Sequence, residues 1–178
     1  MMGAVWVRLQ RISDRYVRRI PRRYLRRMPR RLAVPVFSAA GWPRYTTEDH
    51  RLVTVPEPYR LEVYWLCICE DTGPAYSLFH RTDELLRVDL LGSCPHIHYN
   101  LAESRYRDGM DHRVYLPPAP MDSQIDRAVF ELAHNVPYCN GLHRNRAIRT
   151  RPIDQEAFAV AATEVGRHLR ALAELHGG

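Results

Sequence analysis

The sequence predicts an α+β protein, in which an antiparallel sheet of four or five strands is packed by two C-terminal helices and preceded by an N-terminal Arg-rich helical arm. Three observations favour this architecture. Apolar residues alternate with other residues in several segments between residues 59 and 116, which is typical of strands. Apolar residues recur every three or four positions after residue 120, which is typical of helices. Arginine dominates the first 33 residues.

Charge and proline content divide the chain into three segments. Residues 1–33, the basic arm, hold 11 arginines and one acidic residue, a formal charge of +10. The remaining residues hold 15 arginines and 19 acidic residues, a formal charge of −4. Apolar spacing in the arm predicts a helix over about 5–20, which Pro21 interrupts. A Pro-containing connector covers 34–58, and the α+β domain covers 59–178.

Alternation places five strands in the α+β domain. In 59–70 the odd positions are all apolar, whereas Arg60 and Glu62 occupy even positions, so we expect the odd positions to face the core. A turn at 71–74 follows. Further strands are predicted at about 75–80, 85–91, 95–101 and 112–116, and their short connections favour antiparallel hairpins.

Two helices close the chain. Asp122 can cap a helix over about 123–136, and Pro137 ends it. The second helix is predicted over about 153–175, because its apolar residues form one stripe that would face the sheet.

Composition excludes several classes of protein. With 46% hydrophobic and 26% charged residues, the chain is neither disordered nor fibrous. All 26 basic residues are arginine, which indicates a GC-rich genome. Four cysteines are too few for a disulfide scaffold, so we expect a protein of the reducing cytoplasm. No apolar run approaches the roughly 18 residues of a membrane span.

The densest signal for chemistry is the segment Cys94-Pro95-His96-Ile97-His98-Tyr99-Asn100. Because side chains alternate along a strand, its polar side chains share one face and its apolar side chains share the other. The same alternation adds residues of the preceding and following strands to this polar face, which we expect to point outward. The predicted members of the polar face are Arg87, Asp89, His96, His98, Asn100, Arg113 and Tyr115.

The polar face has the groups needed to cleave a phosphodiester bond without a metal. One imidazole would act as base and the other as acid, while Arg87 and Arg113 would stabilise the developing charge. Asp89 would orient an imidazole, and Tyr115 belongs to the same candidate catalytic set. Two alternatives stay open: a solvated sheet face without chemistry, and a surface that binds nucleic acid or a partner.

A metal site competes with this interpretation, because His-x-His on a strand presents two imidazole ligands. Alternation separates His96 and His98 from His112 and from the cysteines, which leaves too few ligands for a closed site. We therefore expect no metal and no other cofactor.

Three short segments carry a resemblance to known proteins: Leu85–Gly92, Pro95–Tyr99 and Arg113–Pro117. Together they resemble an uncharacterised family of small prokaryotic proteins with LLRxDxxG and PHxH motifs, over roughly residues 59–140. Members of that group often lie beside phage, plasmid or toxin-antitoxin genes. The resemblance therefore implies a bacterial protein of a mobile element or a toxin-antitoxin system, but it supplies no catalytic residues.

The basic arm has three interpretations. Paired guanidinium groups interleaved with aromatic residues suit phosphate contacts and base stacking, which predicts salt-sensitive binding of RNA. The arm could instead bind an acidic protein partner or an anionic membrane surface. It could also be upstream sequence translated from a misplaced start, with Met28 as a later start. The residues assigned to nucleic-acid binding are Arg18, Arg19, Arg22, Arg23, Arg26, Arg27, Arg30 and Arg31.

These observations favour a cytoplasmic protein of mobile-element or toxin-antitoxin type that binds or cleaves RNA through the polar face and the basic arm. The enzyme this implies is a metal-independent ribonuclease. The rival is a non-enzymatic interaction module, such as an antitoxin-like or adaptor domain, and the third hypothesis is a small metal-dependent enzyme. The oligomeric state has no signature in the sequence.

Overall fold

The computed structural model describes residues 45–68, 70–99 and 113–177 of the chain. Contacts divide the chain into residues 1–46 and residues 47–178, and the second unit contains nearly all of the described residues. The basic arm, Cys69, Asn100 and His112 lie outside the described residues. The helix expected over 5–20 and the arginine contacts of the arm therefore stay predictions.

Within the described residues, six strands form one antiparallel sheet in which every strand lies beside the next strand along the chain. The α+β prediction is confirmed, and the sheet has six described strands where four or five were expected. The strands are β1 Tyr45–Val53, β2 Tyr59–Ile68, β3 Asp71–His80, β4 Asp83–Asp89, β5 His96–Tyr99 and β6 Arg113–Tyr115.

Four helices follow the sheet: α1 Met121–His134, α2 Val136–Gly141, α3 Arg146–Arg149 and α4 Gln155–His176. The helices α1 and α4 pack against each other, and α4 packs against β2 and β3. The Tyr76 hydroxyl of β3 donates a hydrogen bond of 3.0 Å to the Ala128 carbonyl, which ties α1 to the sheet. No described helix, the 22-residue α4 included, has the apolar stretch that a membrane crossing needs.

The helix ends differ in detail from the sequence prediction. Pro120 precedes α1, and Asp122 lies in its first turn instead of at the cap, where its carboxylate still favours the positive end of the helix dipole. The cap of α4 is Asp154, whose carboxylate accepts a hydrogen bond of 3.0 Å from the Ala157 amide.

Three elements were not predicted: the strand β1 and the short helices α2 and α3. The strand β1 lies inside the segment assigned to the connector, so the sheet begins before Tyr59. Among the residues of β1 whose burial is described, only Val53 is buried, so the alternation that reveals a strand is absent. Pro137 does not end the helical region, because it occupies one of the first two positions of α2, where no backbone N–H is required.

The sheet is buried on both faces near its centre. Leu61 and Val63 of β2 face the helices as expected, and both are fully buried. Tyr64 and Leu66, on the opposite face of the same strand, are also buried. The opposite face, which carries the polar residues of β4 and β5, is therefore not a solvated surface at this point.

Candidate functional site

The pairing of β4 with β5 brings four polar side chains together. Asp89 lies opposite His96, and Arg87 lies opposite His98. Because paired residues of neighbouring strands share a face, all four side chains project from the same side of the sheet. We call this group the polar cluster. Its members were predicted to share a face, and the register places them as immediate neighbours.

The expectation that these side chains point into solvent is wrong. Asp89 has an exposed fraction of 0%, and His96 and His98 are each 3% exposed. Ala75 pairs with Asp89, and Ser77 pairs with Arg87, and both of these β3 residues are fully buried. Alternation in the sequence reports which residues share a face, but it does not report which face is covered.

Arg87 and Asp89 form a two-pronged ion pair. The Arg87 Nε atom donates to Asp89 Oδ1 at 2.7 Å, and Nη2 donates to Asp89 Oδ2 at 2.6 Å. Burial alone would raise the pKa of the Asp89 carboxyl, but Arg87 and His98 outweigh burial and hold that pKa well below its ordinary range. Asp89 is therefore a buried carboxylate anion. The guanidinium that was predicted to face a phosphate is instead bound to Asp89.

In both imidazoles of the cluster, the Nε2 atom is the one that faces Asp89. The Nε2 atoms of His96 and His98 lie 3.4 Å and 3.3 Å from Asp89 Oδ2. The two rings meet edge to face, with centroids 4.6 Å apart. Burial and the nearby Arg87 lower the pKa of His98 below its ordinary value, although Asp89 opposes them, so His98 is neutral at neutral pH.

The second ring nitrogen of each histidine has a different environment. The Nδ1 atom of His96 lies 2.7 Å from the backbone carbonyl of Cys94. A carbonyl only accepts hydrogen bonds, so this contact places a proton on Nδ1. The Nδ1 atom of His98 is buried and has no hydrogen-bond partner among the described residues.

The other predicted members of the polar face lie at its margin. Tyr115 of β6 pairs with His96, its ring centroid is 5.7 Å from that of His96, and its side chain is exposed. Arg113 pairs with His98 and is also exposed. These two side chains therefore adjoin the cluster at the outer edge of the described sheet, whereas Asn100 lies outside the described residues.

A chain of hydroxyl groups beside Arg87 was missed by the sequence analysis. The Tyr64 hydroxyl lies 2.8 Å from Ser77 Oγ, which in turn donates to Glu84 Oε1 at 2.7 Å. Burial raises the pKa of Tyr64, so its hydroxyl stays protonated. These residues come from three strands, and only the pairing of the strands brings them together.

No protein-family model, no curated protein and no solved structure matches this chain. Its function is therefore inferred from geometry, burial and charge.

Proposed function

We propose that this protein is an enzyme that acts on RNA and that the polar cluster is its catalytic site. The burial of Asp89 with Arg87 and two imidazoles carries the proposal. Moving an ionised group out of water costs on the order of several kcal/mol. Well-packed apolar residues in place of a buried ion pair often stabilise a protein as much as the ion pair does. Buried titratable groups with specific charge partners concentrate where proteins do chemistry. Catalysis accounts for a cluster that stability alone does not require.

The charge distribution supports RNA as the substrate. The basic arm has a formal charge of +10, whereas the rest of the chain has a formal charge of −4. A positive segment attracts a polyanion through its phosphates, and arginine also stacks on unpaired bases. The acidic body contributes no comparable attraction, so the arm would supply most of the affinity.

The side chains around the cluster have distinct roles in this proposal. His96 and His98 are each only 3% exposed, so they would act on a phosphate that enters beside the exposed Arg113 and Tyr115. Asp89 would orient both imidazoles. Arg87 is a positioning residue, because it contacts Asp89 and holds its carboxylate. Arg113 and Tyr115, at the exposed margin, would contact a phosphate and a base of the bound strand.

The first prediction concerns RNA binding. Deleting residues 1–33 is expected to abolish measurable binding of a single-stranded RNA at moderate salt, because the arginines of the arm release counterions from the phosphates that they neutralise. Binding would be measured by fluorescence anisotropy over a series of salt concentrations. For the full-length protein, log Kobs should fall linearly with log salt, with a slope of about −0.7 for each phosphate neutralised.

A charge-preserving variant provides the matched control. Replacing the eight arginines from Arg18 to Arg31 with lysine keeps the formal charge of the arm, so most of the salt slope should remain, whereas replacing them with glutamine should remove it. Equal RNA affinity of the full-length and truncated proteins would rule out the arm as the binding element.

The second prediction concerns cleavage. His96→Ala and His98→Ala are each expected to lower the rate of RNA cleavage about 10²–10⁴-fold, which is the usual contribution of a positioned imidazole. Cleavage of a labelled RNA would be followed on gels, and the melting temperature of each variant would be recorded alongside. His98→Gln gives a second, more conservative variant if the alanine variants unfold.

His134→Ala is the control for cleavage, because His134 is an exposed histidine on α1, away from the cluster. It should leave the rate unchanged. If wild-type protein binds RNA but cleaves none of a panel of structured and unstructured RNAs, the interaction-module hypothesis replaces catalysis.

A further inference from the structure

We propose that Asp89, His96 and His98 form a binding site for one divalent transition-metal ion, and that Zn²⁺ is the cation that fits it best. The three residues each offer one donor atom, and these atoms all lie within 4.8 Å of one another. The metal site goes beyond the proposed action on RNA, and it does not depend on RNA being the substrate. With an ion bound, His96 and His98 would act on a substrate through that ion and not as free imidazoles.

The two distances from Asp89 Oδ2 to the imidazole nitrogens match those between the ligand atoms of a coordination sphere. Zinc bonds of about 2.0–2.1 Å in a tetrahedron separate neighbouring ligand atoms by about 3.3–3.4 Å. Asp89 Oδ2 lies 3.3 Å from His98 Nε2 and 3.4 Å from His96 Nε2. Each imidazole nitrogen is therefore as far from Asp89 Oδ2 as two ligands of one tetrahedral cation are from each other.

The tautomer of His96 supports the same conclusion. Because Nδ1 of His96 donates to the Cys94 carbonyl, Nε2 is the ring nitrogen left to bind a cation. Nε2 faces an oxygen of the Asp89 carboxylate, which has only lone pairs to offer. A metal ion between these two atoms would be bound by both.

The groups behind two of the three donors, His96 and Asp89, are those that metal ligands usually have. A metal-binding histidine commonly donates its other N–H to a backbone carbonyl, as His96 does to Cys94. A metal-binding carboxylate is commonly held by a further hydrogen bond, as Asp89 is by Arg87. Both contacts fix the direction in which the donor atoms point before any cation binds.

Donor type and spacing together favour zinc. Two imidazole nitrogens and one carboxylate oxygen suit Zn²⁺ and Fe²⁺ better than Mg²⁺ or Ca²⁺, which prefer oxygen ligands alone. An octahedral ion with bonds of about 2.1 Å would place neighbouring ligands about 3.0 Å apart, which is shorter than the separations observed here. Three protein ligands leave the fourth tetrahedral position for water or substrate, which is the arrangement of catalytic zinc sites.

The experiment measures metal directly. Wild-type protein without a His tag, from cells supplied with zinc and iron, should carry about one equivalent of zinc by mass spectrometry. The metal-free protein should bind one equivalent of added Zn²⁺ in calorimetry, and Co²⁺ in its place should give the intense visible absorption of tetrahedral cobalt. These measurements use wild-type protein alone, so their outcome does not depend on whether any variant folds. No metal in the purified protein and no binding of Zn²⁺ or Co²⁺ would overturn the proposal.

Two sets of variants locate the ion. Asp89→Asn and the double variant His96→Ala/His98→Ala should each lower the zinc content at least tenfold. The matched control is the pair formed by His143 and Asp83, whose Nε2 and Oδ2 atoms are also 3.3 Å apart but belong to no cluster of three donors among the described residues. Asp83→Asn should keep its zinc, and loss of zinc from Asp83→Asn alone would overturn the assignment to the cluster.

The outcomes separate the metal site from the action on RNA. A protein that binds zinc at the cluster but cleaves no RNA overturns only the proposed catalysis. A protein that cleaves RNA but binds no metal overturns only the metal site.

Discussion

Replacing Arg87 with alanine is expected to lower the free energy of unfolding by about 3–5 kcal/mol, which is the usual effect of removing one partner from a buried ion pair. Asp89 has no exposed side-chain surface, and Arg87 supplies two short hydrogen bonds to its carboxylate. Without the guanidinium, a buried negative charge would lose its main partner. Urea unfolding would measure the loss, with a chelator present so that no bound metal adds to the stability.

The exposed ion pair between Arg167 and Glu164 is the control for Arg87. Their charged atoms lie 3.7 Å apart, and 67% of the Arg167 side chain and 40% of the Glu164 side chain are exposed. Arg167→Ala should therefore cost less than about 1 kcal/mol. The double variant Arg87→Met/Asp89→Leu should recover most of the stability, because it removes the unpaired charge along with its partner. Equal losses for Arg87→Ala and Arg167→Ala would show that the buried pair has no special role.

Replacing Gly73 with alanine is expected to destabilise the protein by about 3 kcal/mol or more, because the added methyl group has no space. A Cβ atom at this position would lie 2.0 Å from the backbone oxygen of Leu90 and 2.7 Å from its carbonyl carbon. Both are backbone atoms of the connection that leads from β4 to β5. The Leu90 amide also donates a hydrogen bond of 3.0 Å to the Pro74 carbonyl, so the connection cannot move away without breaking it.

Gly92 belongs to the same connection and provides the control for Gly73. A Cβ atom at Gly92 would be 3.6 Å from the nearest side-chain atom, which is an ordinary contact. Gly92→Ala should therefore change stability by no more than about 0.5 kcal/mol. Thermal and urea unfolding of both variants would test the comparison, and similar stabilities would show that the connection adjusts to the added methyl group.

Sequence patterns predicted most of the sheet and both long helices, because these elements bury one regular stripe of apolar residues. The strand β1 escaped prediction since it exposes nearly all of its described side chains. Burial of the polar face was not predicted either, because alternation reports which residues share a face and not whether that face is covered.

The membership of the polar face was predictable, but its chemistry was not. Asp89 was expected to orient an imidazole, and it was not counted as a third donor beside His96 and His98. Whether its carboxylate reaches both imidazoles depends on the register of β4 against β5, which places Asp89 directly opposite His96. No periodicity in the sequence specifies that register. Likewise, the spacing of Arg87 and Asp89 in the sequence did not show that the Arg87 guanidinium would form an ion pair with the Asp89 carboxylate.

One hairpin supplies the entire polar cluster. Arg87 and Asp89 are on β4, His96 and His98 are on β5, and residues 90–95 connect the two strands. A site gathered from distant parts of a chain can be lost through any insertion between them, whereas this one is encoded by the single uninterrupted segment 87–98. A single short stretch of the gene therefore carries the whole polar cluster. The same twelve residues are a compact unit to transplant into the antiparallel sheet of another protein.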